Sequence, residues 1–398
     1  MRERISFLCD PLLDLHGPGR VVSLLSQEFA RLYDVTVVTP TIEPSVRRQL
    51  ESAGIPVVDL GRRLYCRGSS MAFAEAWMRE SLWGGNGAAW RRSGYSNSHV
   101  INFSQTIAAP ASIWYLLGSV SSAIGDMAPT LPAGMSLGAR AFQPVSELLD
   151  SHLIRTVTAT SPYVVAASGF AGETYRPWDL RVDRVLYPPL DTEIYHPTHR
   201  FPEEGYCLAY LGKEVDTATI VRVADAGIPI KIFGSKVTTL PLELRNHRGV
   251  EVLKYVGEPE LAELYTHARF TLFPFTTEPF GYVPVESMAC GTPVLTYARH
   301  GPAETVVNGL TGWLCGTPEE FATRAVELWN EGSVPASMRA ACVVRAQRFS
   351  LKTVAQQWLS LLSWKIDGRP APVPRAVAPV PASDRDTMPI SPPQSIRG

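Results

Sequence analysis

The sequence predicts an α/β protein of two domains, each an open, doubly wound parallel sheet with helices on both faces. Three observations support this prediction. Short apolar runs alternate with segments of helical periodicity in both halves of the chain. A proline-containing connection, VLYPPLDTEIYHPT at residues 185–198, separates the halves. The chain has 398 residues, which is long for one ordinary core and suits two.

The first half opens with a strand, a loop, a helix and a strand, which is the unit of a parallel sheet. Residues 5–9 are apolar, the loop HGPG follows at residues 16–19, and a β-branched run occupies residues 35–38. Apolar residues recur at helical spacing between the loop and that run. Further strands are predicted at residues 55–60, 99–103 and 155–160, and a helix is predicted at residues 161–170.

The second half repeats the alternation more clearly. Thr317, Pro318 and Glu320 form a capping box with proline in the first turn, so a helix begins there. Ser350 caps a last helix over residues 351–365, whose apolar residues lie on one face. The other strands are predicted at residues 206–211, 228–233, 250–256, 270–275 and 292–297, and the other helices at residues 216–226 and 258–269.

These elements divide the chain into an N-terminal domain at residues 1–187 and a C-terminal domain at residues 188–349. A final helix follows at residues 350–366, and a proline-rich tail occupies residues 367–398. The tail has too few large apolar residues to build a core, so we expect it to be disordered.

Composition excludes several classes of protein. The formal net charge is -1, which argues against a protein that coats nucleic acid. The six cysteines form no CxxC pair, which is typical of reduced thiols in a cytoplasmic protein. The N-terminal apolar run is too short for a signal peptide, and no apolar stretch of about 18 residues follows. We expect a cytoplasmic protein, with contact at the inner face of a membrane left open.

The segment TTEPFGYVPVESMACGTPVL, residues 276–295, carries the clearest chemical signal. It follows an apolar strand, so it lies at the sheet edge where ligands bind in open α/β folds. Gly281 permits a sharp turn, and a helix begins near Tyr282 and ends at Cys290. The amides of residues 280–283 are then unpaired donors at a helix N-terminus, an end that attracts phosphate.

Two carboxylates, Glu278 and Glu286, flank this phosphate-attracting turn. A bare phosphate site disfavours nearby carboxylates, because each repels the anion. A sugar nucleotide resolves the conflict, since its diphosphate takes the amides while its hydroxyls donate to the carboxylates. Hydrogen bonds to a charged acceptor contribute roughly 1.5–3 kcal/mol each. No cluster of His, Cys and Asp has metal-ligand spacing, so no metal is expected.

The stretch from Glu278 to Glu286 resembles the E-x7-E motif of glycosyltransferase family 4. The resemblance extends to GTPVLTYARHGPAETVVNGLTGWLC and VLYPPLDTEIYHP, and more loosely to HGPGR. It implies the GT-B fold, in which two Rossmann-like domains face a central cleft and the C-terminal helix crosses back to the N-terminal domain. It also implies a retaining, metal-independent hexosyltransferase without a cofactor, whose donor is a nucleotide-diphosphate sugar and whose N-terminal domain binds the acceptor.

The resemblance also implies roles for individual residues. Glu278 contacts the donor hexose as a catalytic residue, and Glu286 binds the ribose. The backbone of Phe280, Gly281, Tyr282 and Val283 meets the hexose and the phosphates. Gly17 and Gly19 match the glycine-rich loop that closes on the diphosphate.

Some positions depart from the family pattern. Lys213 stands where the family has an arginine for the diphosphate, and the lysine that usually follows is missing. Lys236 is a candidate substitute for that lysine. The family often has a histidine near the acceptor, where this sequence has Leu116 or Leu117. His16 is a further candidate for contact with the acceptor.

Several alternatives stay open. The donor is GDP-mannose or a UDP-sugar, and the acceptor is a hydroxyl of a glycan, a lipid-linked glycan or a protein. A non-catalytic sugar-nucleotide-binding partner subunit and a GT-B sugar-nucleotide epimerase are the rival functions. The segment at residues 69–85 has apolar residues at helical spacing and fits either a core helix or an interfacial helix beside a membrane.

Overall fold

Two parallel sheets form the framework of the protein. The computed structural model describes residues 2–66, 69–95, 98–128, 133–160, 162–212, 214–234 and 240–367. The strands of the first sheet are β1 (Arg4–Leu8), β2 (Asp34–Thr39), β3 (Val57–Asp59), β4 (His99–Asn102), β5 (Ile113–Leu116), β6 (Tyr163–Ala166) and β7 (Arg184–Val185). Those of the second are β8 (Cys207–Tyr210), β9 (Ile230–Phe233), β10 (Val250–Val252), β11 (Thr271–Phe273), β12 (Val294–Tyr297) and β13 (Gly312–Cys315).

Helices connect and cover both sheets. Those that accompany the first sheet are α1 (Pro18–Ala30), α2 (Pro44–Ser52), α3 (Ser69–Trp83), α4 (Gly85–Arg92), α5 (Val120–Met127), α6 (Ala133–Thr158) and α7 (Gly169–Glu173). Those that follow are α8 (Thr217–Asp225), α9 (Leu242–Arg245), α10 (Glu258–His267), α11 (Tyr282–Ala289), α12 (His300–Thr305), α13 (Pro318–Glu331), α14 (Ala336–Ala346) and α15 (Leu351–Asp367).

The strand order determines where a ligand binds. The first sheet has the order β3-β2-β1-β4-β5-β6-β7, and the second has β10-β9-β8-β11-β12-β13. The pairings between these strands are parallel. The direction of winding reverses between β1 and β4 and again between β8 and β11, and ligands bind at the carboxyl ends of such strands. The predicted fold class of two doubly wound Rossmann-like domains is confirmed.

The last helix returns to the first domain. The side chain of Trp358 in α15 is fully buried in the core of the first sheet, against the rings of Phe29, Phe103 and Tyr115. Val354, Leu361 and Leu362 enter the same core, as the one-faced apolar pattern predicts.

The chain therefore passes twice between the sheets, and the two passages are bonded to each other. Leu190 donates its N–H to the carbonyl of Phe349 over 2.7 Å, and Leu351 donates to the carbonyl of Leu190 over 2.8 Å. Each connection is extended there, and the pair forms a short parallel bridge between Leu190 and Ser350.

Two predicted elements of the first domain are wrong. The strand expected at residues 155–160 is the end of α6 and the turn that follows it, because Leu149, Leu153 and Val157 pack at helical spacing against the sheet. The helix expected at residues 161–170 is instead strand β6 followed by the short helix α7. The sequence YVVA is buried in the sheet interior, where β-branched residues favour a strand.

Three further expectations concern the whole chain. The six cysteines are free thiols, and all except Cys66 are buried. Within the described residues, no helix is both long and apolar enough to cross a bilayer. Of the predicted tail, residues 368–398 lie outside the described part of the chain.

Candidate active site

The loop after β11 carries Glu278 to the start of α11. Gly281 is the N-cap of that helix and has a φ of 89°, a conformation that glycine adopts without strain. Oε1 of Glu278 accepts hydrogen bonds from the amides of Phe280 at 3.2 Å and Gly281 at 3.1 Å. The helix begins at Tyr282 as predicted, but the expectation that all four amides are unpaired is wrong, because the side chain of Glu278 occupies two of them.

The environment of Glu278 raises the pKa of its carboxyl group. Burial raises the pKa of Glu278 to about 7, the charge of Glu214 adds to the rise, and the two amide hydrogen bonds oppose it. Protonated and ionised forms therefore coexist near neutral pH. Such a group both donates to and accepts from hydroxyls, and it repels a neighbouring phosphate less than a full carboxylate does.

Glu286 lies on α11, about one turn beyond Tyr282. Its residue surface is only 4% exposed. Oε1 accepts from Nη1 of Arg20 over 2.5 Å, and Oε2 accepts from the hydroxyl of Tyr265 over 3.0 Å. Each carboxylate oxygen has two lone pairs, so both oxygens keep one further position for a hydroxyl donor.

Arg20 is the residue of this site that sequence reasoning missed. It stands in the first turn of α1, and its guanidinium group spans the cleft to contact Glu286, Glu258 at 2.9 Å and the hydroxyl of Tyr195 at 3.4 Å. It also lies 4.9 Å from the ring centroid of Tyr282. Burial disfavours the charged guanidinium, but the carboxylate of Glu286 reverses the effect and raises the pKa of Arg20. A basic residue directly after HGPG was the available signal.

The glycines of the HGPG loop shape the end of α1. Gly17 is the N-cap with a φ of 49°, and a Cβ at Gly19 would lie 2.7 Å from the carbonyl oxygen of Asp14. Both positions therefore need glycine. His16 is exposed, and its amide donates to Oδ1 of Asp14. The structure thus brings Gly17, Gly19 and Arg20 to one helix end that faces α11.

A second set of contacts fixes the Glu278 loop to the N-terminal domain. The carboxylate of Glu304 in α12 accepts from the amide of Gly169 at 2.9 Å and from that of Phe170 at 2.8 Å. The hydroxyl of Ser168 donates to the carbonyl of Pro279, which directly follows Glu278. The domains therefore meet on both sides of Glu278, through Arg20 and through Glu304.

The sequence of this half of the molecule matches a known family. Residues 229–348 match the family model described as glycosyl transferases group 1. This match lies within the C-terminal domain and covers most of it. The matched residues include the whole Glu278 loop, α11 and Glu304, and the expected resemblance is confirmed.

Curated proteins with similar sequences include glycosyltransferases. D-inositol 3-phosphate glycosyltransferase 1 of Catenulispora acidiphila is 24% identical over 241 residues, which are 54% of this chain and 58% of that relative. D-inositol 3-phosphate glycosyltransferase of Thermobispora bispora is 36% identical over 100 residues, which are 25% of this chain and 23% of that relative. The chain thus spans between about a quarter and three fifths of these curated relatives.

Solved structures extend the similarity in fold to almost the whole chain. Anabaena HepE in complex with UDP and glucose has a TM-score of 0.66 and 17% identity, and the match covers 91% of this chain and 99% of that one. At this identity the match shows the fold alone. The predicted GT-B architecture is confirmed.

Two lysines predicted for the diphosphate, Lys213 and Lys236, lie outside the described residues. Gly212 and Glu214 flank the first of them after β8, the strand next to β11. The carboxyl ends of neighbouring parallel strands share one edge of a sheet, so this connection starts at the same edge as the Glu278 loop.

Among the described residues, one group of possible metal ligands occurs, away from the cleft. The ligand atoms of His199, Glu263 and His267 lie within 4.8 Å of one another. Nδ1 of His267 accepts from the amide of Glu203, so the ring proton lies on Nε2, 3.3 Å from Oε1 of Glu263. This proton occupies the position that a metal needs. His267 also ends α10 near the start of β11, at the opposite edge of the sheet from Glu278.

Proposed function

We propose that the protein is a group 1 glycosyl transferase and, more specifically, a retaining, metal-independent hexosyltransferase whose donor is GDP-mannose or a UDP-sugar. The observation that carries the proposal is the pair Glu278 and Glu286, one before and one within the start of α11, of which Glu286 contacts Arg20 of the other domain. Two carboxyl groups about a helix N-terminus suit a ligand that combines hydroxyls with an anion.

The donor is proposed to lie along α11. Its ribose donates to the lone pairs of Glu286 that Arg20 and Tyr265 leave open, and its hexose contacts Glu278. Its diphosphate meets the backbone of residues 280–283 and the HGPG loop. Lys213 and Lys236 supply the positive charge, and the guanidinium group of Arg20, whose Nη atoms bond Glu286 and Glu258, adds to it.

Binding of the donor changes the partners of Glu278. Before the donor binds, the carboxyl group of Glu278 accepts from the amides of Phe280 and Gly281. A phosphate or a hexose hydroxyl then competes for the same donors. Release of those amides frees the carboxyl for the sugar. The side chain therefore holds the helix end in a competent shape until the donor arrives.

The proposed transfer needs no protein nucleophile. The acceptor oxygen bonds to the anomeric carbon on the face that the diphosphate leaves, the bond from that carbon to the phosphate oxygen breaks, and the phosphate takes the acceptor proton. Configuration at the anomeric carbon is retained. The protein orients both substrates and stabilises charge on the leaving group through helix amides and cations.

A thermal-shift screen with GDP-, UDP-, ADP- and TDP-sugars tests donor binding, because a ligand of the folded state raises the melting temperature by mass action. The donor found there is then incubated with candidate acceptor glycans. Glu278→Ala is expected to lower turnover by orders of magnitude while the fold survives. Turnover at the wild-type rate in that variant would reject the role of Glu278, and no shift with any nucleotide sugar would reject the proposal.

The rival functions predict different products. A non-catalytic binding subunit shifts its melting temperature with a donor but neither hydrolyses nor transfers it. An epimerase converts the donor to its sugar epimer without an acceptor. Chromatography of the nucleotide sugar after incubation, with and without acceptor, separates the three.

We further propose that the acceptor lies at a membrane surface, because α3 and the neighbouring α6 both carry exposed apolar side chains. Trp83 is 74% exposed, and the exposed arginines Arg63, Arg91 and Arg92 lie close to α3 and α4 in sequence. This combination suits an anionic lipid surface. The exposed apolar side chains of these two helices are Met71, Met78, Leu82 and Trp83 of α3 and Met135, Leu137, Val145 and Leu148 of α6.

Sedimentation with vesicles tests this contact. Phosphatidylglycerol vesicles are expected to bind the protein more strongly than phosphatidylcholine vesicles, and Trp83→Ala is expected to weaken that binding. Tyr255→Ala is the matched control, because Tyr255 is 91% exposed but belongs to the other domain. Equal losses in both variants, or no preference for anionic lipid, would reject the contact.

A further inference from the structure

His300 has a backbone conformation that side chains rarely adopt. It is the first residue of α12, and its φ is 60°. The two other described residues of this kind have an evident reason. Asp179 is an exposed turn residue of a type that tolerates the left-handed region, and Glu204 accepts bonds from Arg339 and from the amide of Val334. Histidine also tolerates this region better than most residues, but His300, unlike Asp179, is half-buried and packs against Phe170 of the other domain, and unusual backbone conformations of this kind collect at functional sites.

The imidazole of His300 has a polar atom without a partner where the two domains meet. Its Nδ1 is buried and has no hydrogen-bond partner among the described residues. Its ring lies against Phe170 of the N-terminal domain, with centroids 4.2 Å apart. Burial lowers the pKa of His300, with Asp126 of the N-terminal domain opposing and Arg299 reinforcing the change. The neutral ring has one donor and one acceptor nitrogen, so Nδ1 can bond a hydroxyl in either sense.

The position of His300 is tied to the Glu278 loop. The amide of Gly301 donates to the backbone carbonyl of Glu278 over 2.9 Å. A Cβ at Gly301 would lie 2.3 Å from the carbonyl oxygen of Pro279, so the two segments are in direct contact. His300 is therefore held next to the residue proposed to face the hexose, on the side that meets the N-terminal domain.

We propose that His300 is a sugar-binding residue, whose Nδ1 forms a hydrogen bond with a hydroxyl of the hexose held at Glu278. The strained backbone is retained because it aims the ring into the cleft between the domains. Phe170 supports one face of the ring and fixes its plane. This assignment rests on the proposed donor site, and it adds a residue that selects the sugar rather than the nucleotide.

Calorimetric titration tests the assignment with two pairs of probes, UDP against UDP-glucose and GDP against GDP-mannose. The ratio of the affinities within a pair measures the contribution of the hexose. In His300→Gly the nucleotide alone is expected to bind as in the wild type, while the advantage of the nucleotide sugar falls roughly two- to tenfold, as the loss of one hydrogen bond predicts. His300→Asn tolerates the same backbone and keeps a polar group, so it is expected to retain most of the advantage.

Asp179→Gly is the matched control, because it relieves a similar φ of 53° at an exposed site far along the chain from Glu278. Both glycine variants are expected to melt at or above the wild-type temperature, since glycine adopts a positive φ freely. Only His300→Gly should change the hexose contribution. An unchanged ratio in His300→Gly would overturn the inference while leaving the donor site intact. Failure of every probe to bind the wild type would instead overturn the proposed function itself.

Discussion

Arg20 and Glu286 form a largely buried ion pair that joins the two domains across the cleft. Their side chains are 14% and 6% exposed, so neither charge is well hydrated. Loss of one partner leaves the other charge buried without compensation, and this costs more than the intact pair contributes. The same pair orients the carboxylate proposed to bind ribose. Stability and donor affinity are therefore coupled at this point.

Arg20→Ala is expected to lower the free energy of unfolding by about 3 kcal/mol, at the lower end for a broken buried pair because Arg20 retains some solvent contact. Urea denaturation measures the change. The double variant Arg20→Ala with Glu286→Gln should recover part of the loss, since the stranded charge is gone. Arg324→Ala, which breaks surface pairs with Glu327 and Glu331, is the control and should change stability by less than about 1 kcal/mol. Equal losses of stability in Arg20→Ala and Arg324→Ala would contradict the assignment of Arg20 and Glu286 as a buried ion pair.

The raised pKa of Glu278 predicts a dependence of stability on pH. The folded state binds more protons than the unfolded state between pH 4.5, the ordinary pKa of the group, and about 7. Stability contributed by this residue is therefore present below that window and falls as pH rises through it. Glu278→Gln does not titrate, so its melting temperature relative to the wild type should rise across the window. A constant difference from pH 4 to pH 8 would show that the pKa is not raised.

Glu304 is expected to hold the domains together through its two backbone contacts and the hydroxyl of Tyr187 at 3.2 Å. Glu304→Ala leaves the amides of Gly169 and Phe170 without their acceptor and should cost about 2 kcal/mol in urea denaturation. Glu304→Gln keeps one acceptor oxygen and should lie between the wild type and the alanine variant. The reverse order of the two variants would contradict the assignment of these bonds.

Trp358 should be the most sensitive position of α15. Removal of its buried ring in Trp358→Ala is expected to cost about 3–5 kcal/mol. Its Nε1 has no partner among the described residues, so Trp358→Phe removes an unsatisfied polar atom and should cost much less. Thermal melts compare the two variants, with the exposed Trp83→Ala as the unaffected control. A loss in Trp358→Ala no larger than that in Trp83→Ala would contradict the assignment of Trp358 as the residue that anchors the helix.

The Glu278 loop was predictable because its signals are local. Gly281, Pro284 and Gly291 mark the turn, the first helical turn and the helix end within a short stretch of sequence, and the helix has those bounds. Local signals fail where the same apolar residues fit both the spacing of a strand and the spacing of a helix. The β-branched residues near Val157 fit a strand or a helix, and packing against the sheet decided for the helix.

The contacts across the cleft were beyond sequence reasoning. Arg20 and Glu286 are 266 positions apart, and only the relative placement of two finished domains brings them together. The left-handed conformation of His300 could not be predicted either, because histidine adopts it only in a minority of cases and glycine is its usual mark. The acids of the site were therefore found from sequence, whereas their cationic partner and the strained histidine required the structure.

The return of α15 has a consequence for synthesis of the protein. The first sheet is translated early, but its core stays open until Trp358 and its neighbours leave the ribosome. The core of the second sheet needs the chain only as far as Phe349, so it can close before α15 has been made in full. The domain that is synthesised first is thus completed last, and until then its apolar surface is exposed to chaperones and to other nascent chains.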